Sequence, residues 1–264
     1  VRIRIENRNL TQALRGGARS LGCDATGLIV VPGRPTTRKT RIVARSQQLL
    51  RFDRETQEPP PEAAVRGLLE ALDKALCRCH GVIAEDYAKG ALGDAIAEQV
   101  MARCRQAQRP VALDPKHSLA PYRGAELVKP NLREAEALSG LRVRGPGDLA
   151  RAVAVLRAVV GPAHVVVTAG ARGMTLFEGA APPREVGTLA REVFDVQGAG
   201  DTSIAALTLA LRAGASLLEA AVIANAAAGV VVGKVGTATA SPEEVVALLP
   251  AALAAAEVSG GCAA

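Results

Sequence analysis

The sequence predicts an α/β fold built from consecutive βα units. Two short apolar runs, at residues 81–84 and 111–113, each follow a helical segment and end in charged residues. A third apolar run, His164–Thr168, ends in a glycine turn. Buried strands that alternate with helices are typical of open α/β sheets, in which ligands bind beyond the carboxyl ends of the strands. We therefore expect the functional residues at that edge.

Length and composition limit the possible classes. The chain has 264 residues, which is enough for one large α/β domain or a domain with a small appendage. Its apolar content of 49% with only 2% aromatic residues predicts an interior of Ala, Val and Leu. The net charge of +6 suits anionic ligands. Nucleic-acid binding is disfavoured, because the Arg residues are scattered and few aromatic residues could stack on bases.

The five cysteines form no disulfide framework, and their number is odd, which favours a reducing compartment. Cys77, Cys79 and His80 lie close together, but Cys-x-Cys without a second pair is a poor zinc pattern. We find no signal peptide and no uninterrupted apolar run of about 20 residues. We expect a soluble cytoplasmic protein without a membrane partner.

The first part of the chain is expected to lie outside the main domain. Residues 1–27 are Arg-rich and receive no assignment beyond a loop at Gly16 and Gly17. Residues 28–54 contain a turn, a basic segment and one extended stretch at 41–52 that is half apolar and half polar. This pattern suits a small sheet with one face that is exposed to solvent or packs against a partner. An ordinary exposed hairpin is the alternative for this segment. The main domain is predicted at residues 55–258.

Charged residues follow two of the predicted strands. Asp86 and Lys89 come after the run at 81–84, and Lys116 comes after the run at 111–113. Two lysines at one sheet edge could clamp a sugar phosphate as point charges. A solvated loop or a salt bridge is the alternative for Asp86 and Lys89.

The most informative stretch is a strand–turn–helix corner. An apolar run ends at Val196, a turn of small residues follows, and a helix opens at Asp201. The unpaired N–H groups of such a corner suit a phosphate or another anion. Asp201 could take the proton of an attacking hydroxyl beside that anion. The alternative is a tight turn followed by an acidic residue in the first helical turn.

Three further segments allow both a structural and a functional interpretation. Asn131 and Glu134 have the spacing of a capping box at a helix start. The turn after His164–Thr168 could be a plain hairpin. The small residues from Asn225 to Gly229 could serve only close helix packing.

The corner also resembles a known family signature. Asp195-x-x-Gly-Ala-Gly-Asp201-Thr202 is similar to the signature of the ribokinase-like (PfkB) sugar kinases. The basic segment at 32–53 and the Asp-Tyr-x-Lys-Gly sequence at 86–90 look like the heptose 7-phosphate kinases of lipopolysaccharide-core biosynthesis. Those kinases occur free or as one half of a bifunctional protein. The resemblance implies a ribokinase-like three-layer α/β/α sandwich with a small β-lid at 28–54, with the N-terminal part of the fold incomplete.

The resemblance also implies roles for individual residues. Asp201 would be the catalytic base, and the amides of Gly198, Ala199 and Gly200 would form an anion hole. ATP and Mg²⁺ would be the cofactors, with Glu134 and Asp195 reaching the metal through water. The remaining positions are nucleotide-binding residues, namely Asn131, Glu134, Thr168, Gly170, Gly173, Asn225 and Gly229, and substrate-binding residues, namely Arg34, Asp86, Lys89 and Lys116.

The expected reaction is phosphorylation of D-glycero-D-manno-heptose 7-phosphate at O1, giving the 1,7-bisphosphate. The expected partners are this sugar phosphate and ATP, a second copy bound through the β-lid, and a fused or separate nucleotidyltransferase. Another PfkB sugar or nucleoside kinase is the first alternative, and a non-catalytic nucleotide-binding remnant is the second. A P-loop kinase and a Rossmann dehydrogenase are disfavoured, since neither Gly-x-x-x-x-Gly-Lys-Ser/Thr nor an early Gly-x-Gly-x-x-Gly is present.

Overall fold

The computed structural model describes residues 10–44, 47–161, 163–189, 196–234 and 236–260. These described residues divide into two compact units, one within residues 1–78 and 88–100 and one within residues 79–87 and 101–264. The predicted boundary between residues 54 and 55 stays a prediction.

Among its described residues, the first unit contains two helices, a hairpin and the start of a third helix. The helices are α1 (Leu10–Ser20) and α2 (Glu62–Leu76), and the strands are β1 (Arg38–Ala44) and β2 (Gln47–Arg54). Helix α3 (Asp94–Gln106) begins in this unit and ends in the second.

Two predictions for this unit are wrong. Strands β1 and β2 pair antiparallel, with Thr40 opposite Phe52, so the single strand expected at 41–52 is a hairpin. Both strands contain the same mixture of apolar and polar residues, so the composition does not show where the chain turns back. Gly16 and Gly17 lie inside α1 rather than in a loop. An interior glycine costs a helix about 1 kcal/mol relative to alanine, which does not by itself end the helix.

In the part of the second unit that the structure describes, six strands form a mixed sheet in sequential order. Its strands are β3 (Val82–Glu85), β4 (Val111–Asp114), β5 (Leu127–Val128), β6 (His164–Thr168), β7 (Met174–Phe177) and β8 (Arg184–Val186). Strands β3 to β6 run parallel, β7 is antiparallel to β6, and β8 is antiparallel to β7. The four parallel strands therefore end at one edge, as the sequence predicted for β3, β4 and β6.

Helices flank this sheet on both sides. They include α4 (Leu132–Ser139), α5 (Pro146–Val160), α6 (Ala199–Arg212), α7 (Leu217–Val232) and α8 (Pro242–Gly260). Helix α6 contacts β3 and β4, α7 contacts β7 and β8, and α4 contacts β6. The predicted α/β sandwich is confirmed.

The core fixes α6 against the sheet. Ile204 and Leu207 of α6 are buried in one cluster with Leu127, Val166 and Leu176 of the strands. Burying an aliphatic side chain of this size contributes about 1.5–3 kcal/mol. The first turn of α6 is therefore held in place by the packing of its later turns.

None of the helices in the described ranges combines the length and the apolar character that a bilayer crossing requires. Residues 190–195 lie outside the described residues, and with them Asp195 and most of the apolar run expected before the glycine turn.

Candidate active site

The carboxyl ends of β3, β4 and β5 bring charged residues together. Glu85 and Asp114 are register partners at the ends of β3 and β4. The pairing continues one step further, since Asp86 N–H donates to the Asp114 carbonyl at 3.1 Å. Lys129 N–H donates to the Leu113 carbonyl at 2.9 Å directly after β5. Pairing of the strands therefore places Glu85, Asp114 and Lys129 close together at the carboxyl edge of the sheet.

The glycine corner forms the start of α6 next to this edge. Gly198 is the N-cap residue and has φ 79° and ψ −5°, a left-handed conformation that favours glycine. It offers no side-chain cap, so no side chain of the N-cap residue occupies the N–H groups of the first turn. Ala199 N–H lies 3.4 Å from the Val196 carbonyl, and Gly200 and Asp201 follow in the same turn. Such a helix start favours an anion.

Lys129 adds a cation beside that helix start. Its residue is only 2% exposed, and Nζ lies 2.8 Å from Oδ2 of Asp114. A Cβ built on Gly200 would lie 3.9 Å from the same Nζ. The ammonium group is therefore adjacent to the first turn of α6, where it reinforces the positive helix end.

Asp201 lies in the first turn of α6 and is exposed to solvent. Its Oδ1 accepts a hydrogen bond of 2.8 Å from Oη of Tyr87, which follows β3. The predicted base therefore lies at the same edge as Glu85, Asp114 and Lys129. This juxtaposition agrees with the geometry that a proton acceptor beside an anion site requires.

The acids of the site interact through their charges. Burial, followed by the negative charges of Asp201 and Asp114, raises the pKa of Glu85 to about 7. Burial also raises the pKa of Asp114, while the ammonium group of Lys129 opposes that shift. Oε1 of Glu85 is buried and has no hydrogen-bond partner within the described part of the chain. Near neutral pH this edge therefore carries a partly protonated acid.

Asn131 and Glu134 form the predicted capping box of α4. Asn131 Oδ1 accepts from Glu134 N–H at 3.0 Å, and Glu134 Oε2 accepts from Asn131 N–H at 2.9 Å. The other oxygen, Oε1, accepts from Nζ of Lys116 at 2.8 Å. The structural interpretation of this pair is confirmed, and its role toward a nucleotide or metal stays a prediction. Lys116, predicted on the sugar side, is paired with Glu134.

The turn after β6 is held by close backbone packing. Thr168 pairs with Met174, and the 3₁₀ turn Gly170–Arg172 connects β6 to β7. Thr168 also forms a parallel bridge with Asn131, which places both at the edge where β6 ends. Gly173 has φ 80°, and a Cβ there would lie 2.0 Å from the Val186 carbonyl oxygen.

The predicted adenine-side residues of α7 have structural contacts. Asn225 is 5% exposed, and its Nδ2 donates to the Gly187 carbonyl at 2.7 Å. A Cβ on Gly229 would meet the side chains of Leu189 and Leu248 at 3.5 and 3.6 Å. These contacts fit the close-packing alternative, and nucleotide binding at both positions stays a prediction.

Two predicted substrate residues lie in the first unit. An amino group of Arg34 donates to the Lys89 carbonyl at 2.8 Å. Nζ of Lys89 lies 2.5 Å from Oε1 of Glu55, whose other oxygen is 3.7 Å from Nζ of Lys39. The salt-bridge alternative for Lys89 is therefore present, and contact of Arg34 or Lys89 with a substrate stays a prediction.

Four residues of the site received no role from the sequence, namely Glu85, Tyr87, Asp114 and Lys129. Each ends a short apolar strand or lies within two residues of its end. The rule that ligands bind at the carboxyl ends of parallel strands placed the polar clusters at 85–90 and 114–116 at this edge, without individual roles for Glu85, Tyr87 and Asp114. It could not have shown which of them contact Asp201.

A family comparison agrees with this arrangement. Residues 7–244 match the model of the pfkB family carbohydrate kinase. The chain belongs to this family. The predicted enzyme class, a phosphotransferase that acts on a sugar hydroxyl, is thereby confirmed.

Two curated relatives are longer than this chain. The chain is 42% identical over 237 residues to the Bifunctional protein HldE of Desulfatibacillum aliphaticivorans, covering 89% of this chain and 48% of the relative. It is 42% identical over 226 residues to the Bifunctional protein HldE of Geobacter sulfurreducens, covering 85% of this chain and 46% of that relative. The chain thus spans about half the length of these curated relatives.

Solved structures support the fold alone. A putative ribokinase from Agrobacterium tumefaciens superimposes with a TM-score of 0.74 at 19% identity, over 94% of this chain and 79% of its own. The ribokinase from Giardia lamblia gives the same TM-score and identity, over 93% of this chain and 80% of its own. The ribokinase-like fold predicted from the glycine corner is confirmed.

Proposed function

We propose that this chain transfers the γ-phosphoryl group of ATP to O1 of D-glycero-D-manno-heptose 7-phosphate. The observation that carries the proposal is the meeting of Asp201, the uncapped start of α6 and the ammonium group of Lys129 at one edge. A carboxylate beside a cradle for an anion is the minimum that phosphoryl transfer to a hydroxyl requires.

In this mechanism Asp201 accepts the proton of the sugar hydroxyl as the oxygen attacks the γ-phosphorus. The bond from that phosphorus to the β-phosphate oxygen breaks, and ADP leaves. The N–H groups of Gly198, Ala199 and Gly200, together with Lys129, stabilise the negative charge of the group in transfer. Donors fixed before the reaction stabilise the transition state without reorganising.

The choice of sugar rests on two segments and on the relatives. The basic segment at 32–53 and the sequence at 86–90 resemble the heptose 7-phosphate kinases, and the relatives that share 42% identity are named bifunctional. Lys89 and Arg34 are proposed to bind the 7-phosphate. Lys89 would then exchange Glu55 for the phosphate, because its ammonium group already makes that ion pair.

Mg²⁺ is proposed to arrive with the nucleotide. No group of three or more His, Cys, Asp or Glu side chains in the described ranges is arranged to hold a metal ion. Mg²⁺ usually keeps several waters and binds one or two carboxylates plus substrate phosphates, so the oxygen donors here fit it. Glu134 would hold it through water, since both of its oxygens already accept hydrogen bonds. The bound ion would neutralise phosphate charge.

Assembly is proposed at two levels. The hairpin of β1 and β2 exposes Leu49, Leu50 and Phe52, and we propose that it pairs with a second copy of the chain. The bifunctional relatives support a nucleotidyltransferase, fused or separate, as the partner that uses the product.

The test is a phosphoryl-transfer assay with ATP and a panel of heptose 7-phosphate, ribose, fructose 6-phosphate and a nucleoside. We expect the highest kcat/KM with heptose 7-phosphate. Asp201→Asn should lower turnover about 100-fold or more and leave ATP binding by calorimetry unchanged, because it removes the base and keeps the shape. A higher kcat/KM with another acceptor would contradict heptose 7-phosphate as the substrate. ATP binding without phosphoryl transfer would favour a non-catalytic nucleotide-binding protein. Wild-type turnover in Asp201→Asn would show that Asp201 is not the base.

A further inference from the structure

The contact between Tyr87 and Asp201 joins two elements that are far apart in sequence. Oη of Tyr87 donates to Oδ1 of Asp201 at 2.8 Å, across 114 positions of the chain. Tyr87 follows the end of β3, and Asp201 lies in the first turn of α6. Packing of α6 against β3 and β4 sets the separation between these two backbones.

The backbone that carries Tyr87 is anchored through the preceding residue, Asp86. Asp86 N–H continues the ladder to β4 through the Asp114 carbonyl, at 3.1 Å. The Asp86 carboxylate also accepts from Oη of Tyr122 at 3.3 Å, and Tyr122 is only 1% exposed. The Tyr87 phenol is therefore presented from a fixed segment.

Packing does not account for Tyr87. Its side chain is 50% exposed, whereas a tyrosine in the core is almost completely covered, as Tyr122 is. An exposed aromatic ring whose hydroxyl group reaches a carboxylate 114 positions away is better explained by what that hydroxyl group does.

We propose that Tyr87 is a positioning residue, which holds Oδ1 of Asp201 so that Oδ2 is the oxygen that takes the proton from the acceptor hydroxyl. This proposal rests on the proposed function, in which Asp201 is the base. The torsion that orients a carboxylate has broad energy wells, so a single donor on one oxygen restricts it. Tyr87 keeps its own proton throughout, and the sugar proton ends on Asp201.

Two features of the site make a phenol suitable for this task. Glu85 and Asp114 already lie near Asp201, so a further carboxylate in place of the phenol would add repulsion, whereas a neutral donor stabilises the base. Burial and the hydrogen bond to Asp201 raise the pKa of Tyr87 above its usual range, and the phenol therefore remains a donor at working pH.

Tyr87→Phe is the decisive variant, since it removes only the hydroxyl group. We expect kcat to fall about tenfold, which corresponds to about 1.4 kcal/mol, with KM for ATP within about twofold of wild type. The unfolding temperature should stay the same, because the ring is half exposed and keeps its contacts. A purely structural role would lower the unfolding temperature and leave kcat unchanged.

A second measurement tests the contact without any turnover. The chain has two tyrosines, so labelling the phenol carbon with ¹³C gives two NMR signals, and Tyr87→Phe assigns them. Asp201→Asn should shift the Tyr87 signal, because its acceptor loses its charge, and should leave the Tyr122 signal in place. Glu178→Gln, at an exposed ion pair with Arg184, is the control and should shift neither.

The outcomes separate the two proposals. The positioning role is overturned if the chemical shift of the Tyr87 phenol carbon is the same in Asp201→Asn as in wild type. It is also overturned if Tyr87→Phe has the wild-type kcat. A wild-type chain that binds ATP but phosphorylates no acceptor overturns the proposed function and the positioning role together, even if the NMR contact is present. Turnover with an unchanged Tyr87→Phe rate overturns the positioning role alone.

Discussion

Nζ of Lys129 lies 2.8 Å from Oδ2 of Asp114, and the two side chains are only 3% and 18% exposed. Breaking a buried ion pair by removing one partner costs about 3–5 kcal/mol, because the other charge is left uncompensated. Lys129→Met should therefore lower the free energy of unfolding by about that amount in a urea titration. It should also abolish turnover, since the cation beside Gly200 is lost.

The double variant Lys129→Met with Asp114→Asn is the control for this pair. Removing both charges should recover part of the lost stability, although not the turnover. If the free energy of unfolding of Lys129→Met lies within about 1 kcal/mol of the wild-type value, the ion pair is screened by water rather than buried.

Gly173 and Gly170 provide a matched pair in one turn. A Cβ at Gly173 would lie 2.0 Å from the Val186 carbonyl oxygen, and the obstacle is backbone that cannot swing away. At Gly170 the same atom meets nothing within 4 Å, although φ is 59°. Gly170→Ala should cost about 1–2 kcal/mol from its left-handed backbone alone. Gly173→Ala should cost clearly more or prevent folding, as measured by the yield of folded protein and by urea titration.

Equal stability of the two variants would contradict this account. It would mean that the turn can move away from β8, and that the close approach is not a fixed part of the site.

Local patterns account for the parts of the fold and site that the sequence predicted. The capping box at Asn131 is present, because it depends on residues three positions apart. The glycine corner and the charged strand ends also depend on a few neighbouring residues. In each case the chemistry that fixes the local structure is contained in one short window.

Contacts between distant segments account for what was missed. Lys129 is separated from Asp114 by 15 positions, and Tyr87 from Asp201 by 114, so only the paired strands and packed helices bring them together. The hairpin of β1 and β2 was expected only as an alternative to a single strand, since pairing rather than composition defines it.

Glu85 makes the stability of the protein depend on pH. Its pKa in the folded state is about 7, compared with an ordinary value of 4.5. Below 4.5 both folded and unfolded chains carry the proton. As the pH rises toward 7 the unfolded chain ionises first, so the stability from the neutral folded acid is lost.

In the Glu85→Gln variant the side chain at this position cannot ionise, so the variant should not lose stability as the pH rises toward 7. We expect the variant to unfold at a higher temperature than wild type at pH 8 and at a similar temperature at pH 5, as measured by calorimetry. Glu178→Gln removes an exposed acid paired with Arg184 and should show no such pH-dependent gain. A Glu85→Gln gain that is equal at both pH values would indicate better packing rather than ionisation.

Asn131 can be tested separately as a helix cap and as a ligand. Serine caps a helix about as well as asparagine, whereas alanine costs about 1 kcal/mol. Asn131→Ser should therefore keep the stability of wild type, and Asn131→Ala should lose about 1 kcal/mol in urea titration.

If the side-chain amide also acts toward the nucleotide or its metal, both variants should lower kcat/KM for ATP by a similar factor. Ser216→Ala, at the capping box of α7, should lose comparable stability with unchanged kinetics. Wild-type kinetics in Asn131→Ser would restrict Asn131 to its role in starting α4, because the only property that the two side chains share at this position is the cap.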